Sequence, residues 1–162
     1  MLAGFRKYGK YQMEEKLQQI FSDICQHHET PVKIGNRCQS HDYYHIENLS
    51  SEDLRLCSEV LLERILNVCY PQAPELLLKL PSCYSDLALL LQSGLRELDR
   101  GVELVELSYS DLEETLLNYV KDTKLIIVAD VLTSARSCLE VHSLATMYGG
   151  SVLAWLSLID RT

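Results

Sequence analysis

Residues 125–160 constrain the fold more than any other stretch, because they read as a buried strand, a hydroxyl-rich turn, an amphipathic helix and a second buried strand. Leu125, Ile126, Ile127 and Val128 form a continuous apolar run with β-branched members, the pattern of a strand covered on both faces in a parallel sheet. Asp130 stands at its end, and three hydroxyls, Thr133, Ser134 and Ser137, come before the expected helix. Cys138, Leu139, Val141, His142, Leu144, Ala145 and Met147 then recur at near-helical spacing. Gly149-Gly150 ends that helix ahead of a second apolar run over residues 152–159. Strand, helix and strand in this order predict a right-handed crossover.

A helix opening after Ser137 directs unpaired amides and the positive end of its dipole at the loop, where Thr133, Ser134 and Ser137 add hydroxyl donors. A phosphate monoester fits such a place. Asp130 can orient a sugar hydroxyl or help hold a magnesium ion, since hard cations prefer carboxylate and phosphate oxygens. The competing reading is local: these polar residues only shape a turn and cap the helix.

The segment Ile126-Ile127-Val128-Ala129-Asp130-Val131-Leu132-Thr133-Ser134-Ala135-Arg136-Ser137 resembles the phosphoribosyl-pyrophosphate-binding motif of type I phosphoribosyltransferases, most of all that of orotate phosphoribosyltransferases. Asp130, Val131, Thr133, Ser134 and Ser137 match the motif. Ala129 replaces the first of the family's two acids, and Ala135-Arg136 replaces the part where the family uses glycine. The resemblance implies that Asp130 is a catalytic residue and, through ligand and magnesium, the metal contact. It also implies that Thr133, Ser134, Ala135, Arg136 and Ser137 bind the substrate's 5′-phosphate. A second segment, Gly35-Asn36-Arg37-Cys38-Gln39-Ser40-His41-Asp42-Tyr43-Tyr44, is similar to the family's hood over the nucleobase. It implies base-side contacts from Tyr43 and Tyr44 and an anion contact from Arg37 or His41. The alternative for the aromatic pair is a hairpin packed into a core.

Between these anchors the chain departs from the family. Residues 76–86 contain no glycine where the family has a pyrophosphate loop, so a backbone cradle of that kind is lost. Residues 108–122 read as a capped helix, with acids in the first turn and Lys121 near the last, where the family has a mobile cationic loop. Loss of pyrophosphate needs cations or magnesium to take up the departing charge.

The remaining chain fits one domain of residues 1–162, with a hood over about 1–50 and a core over about 51–162. Residues 11–27 read as a helix with Met13, Leu17, Ile20, Phe21 and Ile24 on its apolar face. Ser50 or Ser51 resembles a helix cap ahead of Leu54, Leu56, Cys57, Val60, Leu61, Ile65 and Leu66. Strands over 76–80 and 102–107 and a helix over 86–98 complete the expected fold. That fold is a three-layer α/β type I phosphoribosyltransferase-like architecture with a mainly parallel central sheet and an N-terminal hood.

The 162 residues carry a formal charge of -8 and no basic cluster, which disfavours nucleic acid as a partner. No apolar run has the length of a membrane span, and no signal-peptide core opens the chain, so a soluble cytoplasmic protein is expected. Six cysteines without a C-x-x-C pair are expected to be reduced and partly buried. His27-His28 and His41-x-x-x-His45 lack a third and fourth ligand for zinc, which leaves surface or helix-end positions for them. A homodimer is expected, from the family's habit and from the edge of a short sheet.

These readings lead to an orotate phosphoribosyltransferase-like protein that binds phosphorylated ribose or a nucleoside monophosphate, with transferase activity reduced or lost. Two alternatives stay open. One is an active divergent transferase that forms a nucleoside monophosphate and pyrophosphate with Mg2+ as cofactor. The other is a non-catalytic scaffold or regulatory protein.

Overall fold

The computed structural model describes residues 10–34, 38–98, 100–133 and 135–161. The backbone divides into two compact units, one ending at Cys57 and one beginning at Ser58. The N-terminal unit opens with α1 (Lys10–Asp23), whose Met13 and Ile20 are buried. An antiparallel hairpin of β1 (Cys25–Ile34) and β2 (Cys38–Tyr44) follows. The sequence placed His27 at the end of a helix; it lies instead in β1, paired with Asp42. Helical spacing stops at Ile24, and Thr30 and Val32 favour extended backbone. The ladder is irregular between His27 and Val32, and Pro31, which has no amide to donate, sits in that interval.

Helix α2 (Ser51–Cys69) begins at a capping pair. The Asp53 amide donates to Ser50 Oγ at 3.1 Å, and that hydroxyl donates to Asp53 Oδ2 at 2.6 Å. Ser50 is therefore the cap.

The C-terminal unit is built on a four-stranded parallel sheet of order β4-β3-β5-β7, with β3 (Leu76–Lys79), β4 (Glu103–Glu106), β5 (Lys124–Val128) and β7 (Ser151–Leu156). Leu77, Leu78 and residues 125–128 are fully buried, as their unbroken apolar runs require of the two central strands. Helices α3 (Ser85–Glu97), α4 (Leu112–Tyr119) and α5 (Arg136–Met147) connect the strands. Helix α3 comes so close to α2 at Gly94 that a Cβ there would collide with Leu62.

Two stretches differ from their sequence reading. Helix α4 is shorter than 108–122, has no side-chain cap at Asp111, and ends before Lys121. The apolar run 152–159 splits in two. After β7 the chain leaves β5, and β8 (Ile159–Asp160) pairs in parallel with β6 (Val131–Leu132), which had read as turn. The amides of Leu158 and Ile159 both donate to the Asp130 carbonyl, at 3.0 and 3.1 Å, and draw the chain aside.

The strand order reverses at β3 and β5, since the chain runs outward from β3 to β4 and then returns to β5 on the other side. In open parallel sheets ligands bind beyond the carboxyl ends of the strands at such a point. Lys79 closes β3 there, and Asp130 follows β5.

Candidate functional site

The loop from β5 to α5 is held from both sides before it reaches the helix. Arg161 donates its amide to the Leu132 carbonyl at 2.9 Å, extending the β6–β8 ladder. Asp130 is tied at both carboxylate oxygens: Oδ1 accepts from the Val131 amide at 2.7 Å, and Oδ2 from the Tyr84 amide at 3.1 Å. The second bond spans from β5 to the loop after β3. Burial pushes the Asp130 carboxyl above its ordinary value, against the downward pull of the Val131 and Tyr84 amides and the Lys79 charge.

Helix α5 starts at Arg136, two residues earlier than the sequence reading placed it, so Ser137 lies within its first turn. The N-cap is Ala135, at φ 51° and ψ 0°. This left-handed backbone is the conformation for which glycine is best suited, and the alanine keeps it without glycine's freedom. An alanine cannot cap by its side chain, and none does so here. Among the described residues the first intrahelical bond runs from the Leu139 amide to the Ala135 carbonyl, and the amides of Arg136, Ser137 and Cys138 have no partner. Among the described residues, neither Thr133 nor Ser137 has a hydrogen-bond partner for its hydroxyl. The helix's first turn contains no acid. Neither of these two hydroxyls caps the helix, and Ser134, the third residue of the local alternative, lies outside the described residues.

Lys79 was not singled out by sequence reading. With Ser58 it is one of two buried polar residues among those described, and its Nζ lies 3.6 Å from Glu106 Oε2 at the end of β4. The available signal was a lone lysine inside the run Leu76-Leu77-Leu78-Lys79-Leu80. A buried charge is retained where it is paired or used.

These features belong to one architecture: a parallel sheet with its switch point between β3 and β5, and a helix after β5. Solved structures share the fold. An UMP synthase from Leishmania donovani matches 90% of this chain over 31% of its own length, at 14% identity and TM-score 0.66. An orotate phosphoribosyltransferase from Mycobacterium tuberculosis H37Rv, in complex with inorganic phosphate, matches 92% of this chain and 96% of its own, at 13% identity and TM-score 0.61. An adenine phosphoribosyltransferase from Leishmania donovani matches 89% of this chain and 67% of its own, at 12% identity and TM-score 0.66. The chain has the type I phosphoribosyltransferase fold. No protein-family model and no curated protein sequence matches it. The chain spans about a third of the UMP synthase.

Within the phosphoribosyltransferase fold, the residues proposed from sequence fall in two places. Asp130, Thr133, Ala135, Arg136 and Ser137 come together around the β5–α5 loop of the C-terminal unit. Tyr43 and Tyr44 close β2 in the N-terminal unit; Tyr43 is exposed, edge-on to His45 at 4.8 Å, and Tyr44 is half-buried. Neither belongs to a fully buried core. Arg37 and Ser134 lie outside the described residues.

The donor set offers a magnesium ion one carboxylate, with Ala129 beside it and both Asp130 oxygens already accepting amides. No group of three His, Cys, Asp or Glu side chains among the described residues could hold a metal. Direct coordination fits this geometry poorly. The buried thiols do not offer a nucleophile either. Burial pushes Cys83 up to about 12, with the Asp130 charge adding to the rise, and Cys138 up to about 11. His142, one turn after Cys138, packs rather than reacts: its Nδ1 accepts the Trp155 indole N–H at 3.1 Å.

Proposed function

We propose that the C-terminal unit binds a ligand containing ribose 5-phosphate at the β5–α5 loop, and that transferase activity is reduced or lost. The observation that carries this reading is the helix end. Three first-turn amides and the Thr133 and Ser137 hydroxyls stand without protein partners among the described residues, around a left-handed Ala135. A phosphate there meets preorganised donors and the positive end of a helix dipole, with Arg136 adding charge. Asp130 keeps lone pairs for a ribose hydroxyl beyond the two amides it accepts. The Mycobacterium tuberculosis neighbour, in complex with inorganic phosphate, agrees with an anion as ligand.

Weak or absent turnover follows from what stands at the leaving-group end. Helix α4 lies in the interval where the resembled family has a mobile cationic loop, Ala129 supplies no second acid, and the Tyr84 amide is already committed to Asp130. Lys79 favours the second reading, an active divergent transferase, because a buried cation beside the switch point can take up developing negative charge.

Calorimetry with a nucleoside monophosphate tests the first reading, with thermal melting as a folding control. The wild type should bind, and the Thr133→Ala/Ser137→Ala double variant should bind about a hundredfold more weakly or worse, for two lost hydrogen bonds to a charged group. No binding by the wild type at millimolar ligand, or equal binding by the double variant, returns the loop to a purely structural role. Pyrophosphate release from phosphoribosyl pyrophosphate and orotate, abolished by Asp130→Asn, would establish the active enzyme instead.

A further inference from the structure

Four of the five histidines, His27, His28, His41 and His45, lie on the N-terminal hairpin and its exit. His27 Nδ1 stands 2.7 Å from Asp42 Oδ1, and His41 Nδ1 stands 2.9 Å from the His28 carbonyl oxygen. A carboxylate and a carbonyl only accept, so Nδ1 carries the proton in both rings. In the neutral imidazole the other nitrogen, Nε2, then holds a free lone pair. The two rings stack at a centroid distance of 5.7 Å and an interplanar angle of 20°, which sets the two imidazoles next to one another across β1 and β2. The His27 side chain is 70% exposed.

A ring whose Nδ1–H is pinned to a carboxylate or a backbone carbonyl is the usual state of a metal-binding histidine, since that bond fixes the tautomer and raises the basicity of Nε2. Both rings meet this condition by different partners. His45 does not: its Nδ1 faces Glu47 Oε1 at 2.9 Å and its Nε2 faces Gln26 Oε1 at 3.0 Å, so neither nitrogen is free.

We propose that His27 and His41 form a two-imidazole site for a borderline divalent transition metal ion, bound through both Nε2 atoms and stapling β1 to β2. Imidazole donors suit zinc, nickel and copper and not magnesium or calcium. Water completes the coordination, because no third His, Cys, Asp or Glu side chain among the described residues joins the pair. Adjacent ligands on one ion must stand about 3 Å apart, given metal–nitrogen bonds of about 2.1 Å. The rings therefore have to turn toward a common point and close from their stacked spacing, which their exposure permits.

Nickel titration of the full chain tests this. It is run in a Cys25→Ser background, which removes the half-buried thiol two residues from His27. One Ni2+ should bind per chain, and its paramagnetism should broaden the amide resonances of His27, His28, His41 and Asp42 before any others. His27→Ala and His41→Ala should each weaken binding by about tenfold or more, and the double variant no further, because losing either arm abolishes the chelate. His45→Gln should leave the affinity unchanged. Absence of binding at millimolar Ni2+, undiminished binding by the double variant, or broadening centred elsewhere would overturn the proposal. Melting curves of the alanine variants that match the wild type without metal separate loss of the site from loss of the fold.

Discussion

Two loops leave the same end of the central sheet, one from β3 into α3 and one from β5 into α5, and they differ in what they leave open. Helix α3 carries Asp86 in its first turn, so its own carboxylate answers the helix dipole, and the Tyr84 amide ahead of it is taken by Asp130. The turn before it is closed further by the Cys83 amide on the Leu80 carbonyl and the Leu80 amide on the Val128 carbonyl, each at 2.9 Å. Helix α5 has no acid in its first turn, no side-chain cap, and a left-handed residue that aims its amides outward. The fold thus leaves helix-end donors open after β5 and shuts the corresponding end after β3. Under the proposed function, the open end is the half of a two-part site suited to a monophosphate.

The bond between the loops gives the largest expected effect. Asp130→Ala removes the acceptor of both the Tyr84 and the Val131 amides, and should cost about 2–3 kcal/mol in urea unfolding for two partly buried donors left unpaired. A loss under about 0.5 kcal/mol, the ordinary range of surface changes, would mean that the loops are independent. The same carboxyl gives a signed pH test. Its raised value means that the folded chain holds the proton more tightly than the unfolded chain does. Its contribution to stability therefore falls as pH rises from the ordinary carboxylate value through the raised one, and recovers on acidification. Relative to Asp130→Asn, the wild type should gain stability as pH drops through that window; a constant difference would place Asp130 in solvent.

Lys79 sharpens the comparison from the closed side. If the lysine serves a ligand, Lys79→Met should leave stability within about 1 kcal/mol, since replacing a buried ion pair's member by an apolar chain of like volume is often close to neutral when the partner is solvated. Glu106, at 54% exposure, is such a partner. Affinity for pyrophosphate should fall about tenfold, the worth of one charge-assisted bond. Unchanged pyrophosphate affinity, measured by calorimetry, would make Lys79 structural and leave the β3 end without a function.

Much of the sheet was legible because β3 and β5 are covered on both faces and so carry unbroken apolar runs. Gly149-Gly150 was legible as a helix stop: Gly149 takes φ 89°, and Gly150 donates to the Ala145 carbonyl at 2.8 Å. What escaped reading depends on partners distant in sequence. Strand β1 carries polar histidines and Pro31, and only pairing with β2 makes it a strand. The split of the last apolar run follows from bonds to the Asp130 carbonyl, which no local pattern encodes. The buried state of Lys79 rests on the neighbouring end of β4. Of the site, the Asp130 and Thr133-to-Ser137 region was readable as chemistry, but the handedness at Ala135 was not, because residue type announces a left-handed backbone only when it is glycine or asparagine.

Ala135 supplies the smallest effect and the finest test of the open loop. Holding an alanine at φ 51° costs about 1 kcal/mol or somewhat more. Glycine would relieve that strain, yet it brings a more disordered unfolded chain that takes back about 0.5–1 kcal/mol. Ala135→Gly should therefore raise stability by about 0.5 kcal/mol or less, visible as a melting shift of a degree or two, and should leave nucleoside monophosphate affinity intact because the amides keep their direction. Ala135→Val makes the opposite demand, since a β-branched residue resists the left-handed region more than alanine does. It should lower both melting temperature and phosphate affinity, whereas equal melting of the three variants would show that the loop relaxes freely and that its donors are not preorganised.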